Sequence, residues 1–118
     1  MTELETVNAR ITGTELGICD HGMMNFWVAL EWKGGGQSLG GYALDQGHRE
    51  SEERTGFGPG FIAIRKILET AGVERWEDLK GKLVRLKVGG PGSSRPPVIG
   101  HIIEDKWFDL KSFMEQQE

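Results

Sequence analysis

The sequence predicts a mostly-β fold with one main helix, and three observations carry that expectation. Residues 23–33 alternate apolar and polar side chains with period two. Residues 61–71 carry an apolar stripe at helical spacing. The 18 glycines among 118 residues gather at Gly34–Gly36, Gly40–Gly41, Gly56–Gly60 and Gly89–Gly92 with no fixed period, which marks bends and loops rather than repeats.

The first strand is predicted over 6–18. Val7, Ala9 and Ile11 lie on one side, Leu16 and Ile18 continue the apolar set, and Gly13 marks a bend or bulge. Residues 19–22 make a turn. In the second strand, 23–33, Met24, Phe26, Val28, Leu30 and Trp32 face inward, so Trp27 faces outward. Gly34–Gly36 is a hairpin loop. A third strand follows over 37–44, curved at Gly40–Gly41. Residues 45–60 are polar and glycine-rich and are expected to form a long mobile loop. Pro59 and Gly60 open a helix whose inward stripe is Phe61, Ile64, Ile67, Leu68 and Ala71, with Gly72 just past its end. Trp76 and Leu79 sit in a short acidic turn. A fourth strand spans 82–88, with Val84, Leu86 and Val88 inward and Arg85 and Lys87 outward. A proline-stiffened loop over 89–97 leads to a fifth strand at 98–104. Trp107, Leu110, Phe113 and Met114 then form a short C-terminal helical stripe that covers the sheet or serves partner binding or self-association.

The order β-β-β-α-β-β with antiparallel strands is that of the OB-fold, a small five-stranded Greek-key barrel. The alternative is an open α+β sheet. A single α+β domain over residues 1–118 is expected from the length.

Composition narrows function. Hydrophobic residues make 37% of the chain and charged residues 27%, which are globular values. The net charge of −4 gives no support for duplex DNA or an anionic membrane surface as partner. Cys19 is the only cysteine, so neither an internal disulfide nor a four-thiol zinc site can form. Residues 1–5 are acidic and lack an apolar core, so no signal peptide is expected, nor is any membrane span. A cytoplasmic location follows as an expectation.

Beside the C-terminal stripe, three groups of residues carry candidate chemistry. Trp27, Tyr42, Arg85 and Lys87, joined by Arg10, are expected on the polar face of the sheet. Aromatics that stack bases, with cations for phosphates, form the chemistry that single-stranded nucleic acid needs. The alternative puts Trp27 under the long loop or at a dimer contact. Gly58 and Gly60 open the helix with free N–H groups and are anion candidates, although the Lys-Ser/Thr pair of a P-loop is missing; the alternative is a tight loop into a proline-started helix. Asp20, His21, Asp45, His48, His101 and Asp105 could build a metal or acid–base site, but they have no recognisable metal-ligand spacing, so no metal, cofactor or catalytic group is expected. Cys19 lacks an activating cation and reads as a strand-end thiol.

Three segments also carry a resemblance: Gly40-Gly41-Tyr42-Ala43-Leu44-Asp45, Gly56-Phe57-Gly58-Pro59-Gly60-Phe61-Ile62 and Ile99-Gly100-His101-Ile102-Ile103-Glu104-Asp105-Lys106-Trp107-Phe108. Together they resemble a set of small uncharacterised proteins of tailed phages and prophages. The segments Ile67-Leu68-Glu69-Thr70-Ala71-Gly72-Val73 and Leu79-Lys80-Gly81-Lys82-Leu83-Val84 are more loosely similar to OB-like phage replication and recombination accessory proteins. The resemblance implies a phage protein in the cytoplasm of a bacterial host and carries no catalytic residue; with no catalytic motif in the chain, a non-enzymatic binding protein is expected ahead of an enzyme. Single-stranded nucleic acid is then the expected ligand. The alternative is an anti-CRISPR-like inhibitor of a bacterial defence system, which would block a host protein or sequester a nucleotide signal.

Overall fold

In the computed structural model, residues 4–20, 22–48, 51–90 and 95–116 are described. Three long strands come first: β1 (Glu5–Asp20), β2 (Met23–Trp32) and β3 (Gly35–Ala43). A short pair follows, β4 (Asp45–His48) and β5 (Ser51–Gly56), then the helix α1 (Gly58–Ala71). After a 3-10 turn at Trp76–Asp78 come β6 (Leu83–Val88), β7 (Val98–Gly100), β8 (Trp107–Phe108) and the helix α2 (Leu110–Glu115). The main sheet is antiparallel and six-stranded, ordered β3-β2-β1-β6-β7-β8, and curls into a half-barrel; β4 and β5 form a separate hairpin.

Alternation decides which side chains the sheet buries. Ile11, Phe26, Val28, Leu39, Val84, Leu86 and Ile99 all lie on the inner face and are fully or almost fully buried. Helix α1 packs against β7, β8 and α2, while α2 reaches β3, so the two helices fill the open side between the sheet edges. Phe26 meets Trp76 edge-on at 6.1 Å between ring centroids, and Phe108 meets Phe113 at 5.5 Å. Both are favourable aromatic geometries. Removing the Phe26 ring is expected to cost about 3–5 kcal/mol, as for other buried phenylalanines.

The first-strand bulge lies where the sequence places it. Register slips between Ile11 and Gly13, leaving Thr12 as the extra residue, its hydroxyl donating to the Ala29 carbonyl.

Several expectations need correction. The sheet system has eight strands among the described residues rather than five. Residues 45–60 are not an irregular loop: Asp45–His48 and Ser51–Gly56 pair as β4 and β5, tied down by Asp45. Asp45 Oδ1 accepts from the Met24 backbone N–H at 3.1 Å and from Arg54 Nε at 2.9 Å, which joins the hairpin to β2. The residues there alternate without apolar character, so strand periodicity gave no signal. The predicted fifth strand ends at Gly100; residues 101–106 turn back, and β8 pairs with β7. The buried stripe of α1 is Gly60, Ala63, Ile67, Thr70 and Ala71, while Phe61 is exposed. Gly60 comes so close to Leu44 and the Ala43 carbonyl that no side chain fits there, and this contact turns the stripe away from Phe61.

Candidate nucleic-acid interface

The outer face of the sheet holds the candidate site. Trp27 lies on β2 between buried Phe26 and Val28 and is 38% exposed. On β1 its cross-strand neighbour is Glu15, and on β3 it is Gly40. The indole rests against Gly41, where an added Cβ would stand 2.6 Å from the ring. Gly13, Thr14, Glu15, Ala29 and Ser38 line a shallow groove of about 550 Å³ around it. The groove leaves one side of the ring partly open to solvent.

Tyr42 does not share this face. Asn25 pairs with Ala43 and Trp27 with Gly40, so two residues of β3 stand against one of β2. The extra residue is accommodated by Gly40 (φ 133°) and Gly41 (φ 83°), both in a backbone region that side chains disfavour. Side-chain parity flips across this bulge, and Tyr42 turns inward to pack on the core. Burial, then Glu115 and Asp109, raise its phenol pKa above the ordinary value. Counting alternation through Gly40–Gly41 without the bulge put Tyr42 on the wrong side. Asn25 faces the same way as Trp27 but is buried, and its Oδ1 has no partner among the described residues.

Arg85 and Lys87 do point outward, beside a residue that the sequence reading assigned elsewhere. Trp107 was expected in a C-terminal helical stripe. It lies instead on β8 opposite Gly100, with its indole packed flat on that glycine. Lys87 Nζ stands 4.3 Å from the ring centroid and the Arg85 guanidinium 4.8 Å, both within cation–π range. Arg85 is also committed to the turn that follows β7. Its Nε donates to the His101 carbonyl at 2.7 Å and its second nitrogen to the Glu104 carbonyl at 2.8 Å. Two of the Arg85 guanidinium nitrogens are thus engaged in holding this turn. The signal for this cluster was the i, i+2 cation pair facing a glycine-opposed tryptophan, and it needs the β7–β8 pairing to be seen.

Trp27 and Arg85 are not adjacent. Their β1 neighbours are Glu15 and Asn8, seven positions apart, which separates them by roughly 20 Å along the strands. Arg10 lies between them on the outer side of β1, opposite Glu31 of β2.

The polar set does not assemble. Asp45 holds the hairpin. His101 Nδ1 accepts the backbone N–H groups of Ile103 and Glu104, and Asp105 accepts the Trp107 Nε1 proton at 3.0 Å. No group of three metal-ligating side chains occurs among the described residues. His21, with the side chains of Cys19, Asp20 and His48, lies outside the described residues. At the start of α1, the Gly60 N–H donates to the Phe57 carbonyl and its Cα packs on the β3–β4 link, so Gly60 is a packing residue; Gly58 is exposed. No helix among the described residues is long and apolar enough to cross a membrane.

No protein-family model, curated protein or solved structure matches this chain.

Proposed function

We propose that the protein is a non-enzymatic binding module that holds single-stranded nucleic acid across the outer face of an OB-like half-barrel. The observation that supports it is Trp27, a partly exposed indole beside a shallow groove, on the same sheet face as Arg10 and Lys87. A stacked base needs only a free aromatic face, and phosphates need cations along the track. The distance from Trp27 to Lys87 suits a strand of several nucleotides, within the ~4–16 that one OB-fold covers. The connectivity supports the OB-like reading: a long first strand, bent at a bulge, pairs with β2 on one edge and with the first strand after the helix on the other.

Fluorescence anisotropy with a labelled oligo-dT at low and high salt tests this. Trp27→Ala is expected to weaken binding about tenfold or more, since stacking on one aromatic contributes roughly 1–3 kcal/mol. Lys87→Ala should weaken it less and reduce the salt slope by about one, the loss of one phosphate contact. Absence of affinity at low salt overturns the reading.

A second reading has one observation in its favour. Glu15 stands beside Trp27, and Glu31 faces Arg10, so carboxylates border the open indole. That charge suits a basic protein partner, as an inhibitor of a bacterial defence protein requires. A complex with a host protein that survives nuclease treatment would support it.

A further inference from the structure

Strand β1 is paired on both edges only along its first half. Residues 5–10 lie against β6, and Ile11 completes that side by exchanging hydrogen bonds with Gly81 and Lys82. Beyond the bulge, β1 continues to Asp20 along β2 alone. Among the described residues no strand covers its other edge past Ile11.

The residues on this open edge are apolar as well as unpaired. In a strand of L-residues, the side a side chain takes fixes the edge toward which its own N–H and C=O point. Ile11 is an inward residue whose N–H and C=O point toward β6. After the bulge the inward residues are Thr14, Leu16 and Ile18, opposite Val28, Phe26 and Met24. Their backbone groups therefore point to the same edge, which no described strand covers. Leu16 and Ile18 are 42% and 76% exposed although they lie on the side of the sheet that forms the core elsewhere. A row of free backbone groups beside exposed aliphatic side chains is a template for strand addition.

We propose that a second copy of this chain occupies this edge, its β1 pairing antiparallel with the first about a two-fold axis at Leu16. The segment is self-complementary in that register. Leu16 meets the partner's Leu16, and Thr14 and Ile18 meet the partner's Ile18 and Thr14. All three residues present their backbone groups to one another, as hydrogen-bonded antiparallel pairs require. Glu15 falls opposite the partner's Gly17, so no like charges meet across the seam. A two-fold axis normal to the sheet keeps both inner faces on one side, which places the four exposed aliphatic side chains together. The outer face carrying Trp27 stays open in both copies, so the dimer and the nucleic-acid reading stand or fall separately.

Sedimentation velocity of the full chain over a micromolar concentration series is expected to show a monomer–dimer equilibrium. Ile18→Lys should raise the dimer dissociation constant at least about tenfold, because a buried aliphatic is lost and a lysine blocks the edge. Circular dichroism should show that fold retained, since Ile18 is mostly exposed in the single chain. In a Cys19→Ser background, Leu16→Cys should form an intermolecular disulfide under mild oxidation. The expected Cα separation of about 5.5 Å in such a pair lies within disulfide range. Ile18→Cys should not, because its own copy lies four positions away, roughly 13 Å. A wild-type chain that stays monomeric throughout the series overturns the proposal. So does a dimer that Ile18→Lys leaves intact, or one in which Ile18→Cys crosslinks and Leu16→Cys does not. A monomer that captures an extended peptide on this edge also overturns it in favour of a different occupant.

Discussion

Trp27 and Trp107 are the same residue type on the same side of the same sheet, and each lies on a glycine of the neighbouring strand. Their free sides differ. Beside Trp27 there is a shallow groove lined by Gly13, Thr14, Glu15, Ala29 and Ser38. Above Trp107 stand Arg85 and Lys87, and its Nε1 is bound to Asp105. The first tryptophan is 38% exposed; the second is held in the β7–β8 turn by its two cations and Asp105. An outward aromatic is therefore a ligand candidate only after its neighbours have been accounted for.

The contrast predicts opposite consequences for stability. The largest effect is expected from Arg85→Ala, which removes two charge-assisted hydrogen bonds to turn carbonyls together with a cation–π contact. A loss of about 2–3 kcal/mol in a urea titration fits hydrogen bonds of that kind. A loss near zero would mean that Trp107 needs no clamp and is as free as Trp27. Gly100→Val is next, because a side chain there must displace the Trp107 ring. Overpacking of this sort costs about 1–3 kcal/mol, and it should also shift the tryptophan fluorescence as the ring leaves its two cations. Trp27→Ala should change stability by only about 0.5 kcal/mol, as at surface positions generally. If it unfolds the protein, the distinction between the two tryptophans collapses.

The smallest effect concerns Tyr42, the aromatic that the bulge turned away from this face. Its phenol pKa is raised in the folded chain, chiefly by burial. The folded state therefore holds the proton more tightly than the unfolded one. The stability this contributes is fully present below the unfolded value, about pH 10, and is lost as pH rises through the folded value. Thermal melts across that range should show a steeper decline for wild type than for Tyr42→Phe. Identical declines would place Tyr42 back in solvent beside Trp27.

Much of the outer face was legible in the sequence. Alternation in 23–33 and 82–88 placed Phe26, Val28, Val84 and Leu86 inward and Trp27, Arg85 and Lys87 outward, because strand parity is a local property. Gly13 marked its bulge for the same reason. Tyr42 was misplaced because a bulge at Gly40–Gly41 exists only relative to the partner strand. Phe61 was placed inward by helical spacing, yet the close contact of Gly60 with the β3–β4 link turned it out. The hairpin over 45–56 had no hydrophobic pattern to announce it; an aspartate and an arginine hold it.

The sequence by itself determined a β-rich chain with one long helix and the faces of its regular strands. Only the tertiary structure decided that Trp107 belongs beside Arg85 and Lys87, that Tyr42 belongs to the core, and that no strand among the described residues covers one edge of the second half of β1. These depend on register and on which strand lies next to which, and both are set by contacts between distant segments. Periodicity along one segment constrains only that segment, so it fixes which way a side chain points but not what it meets.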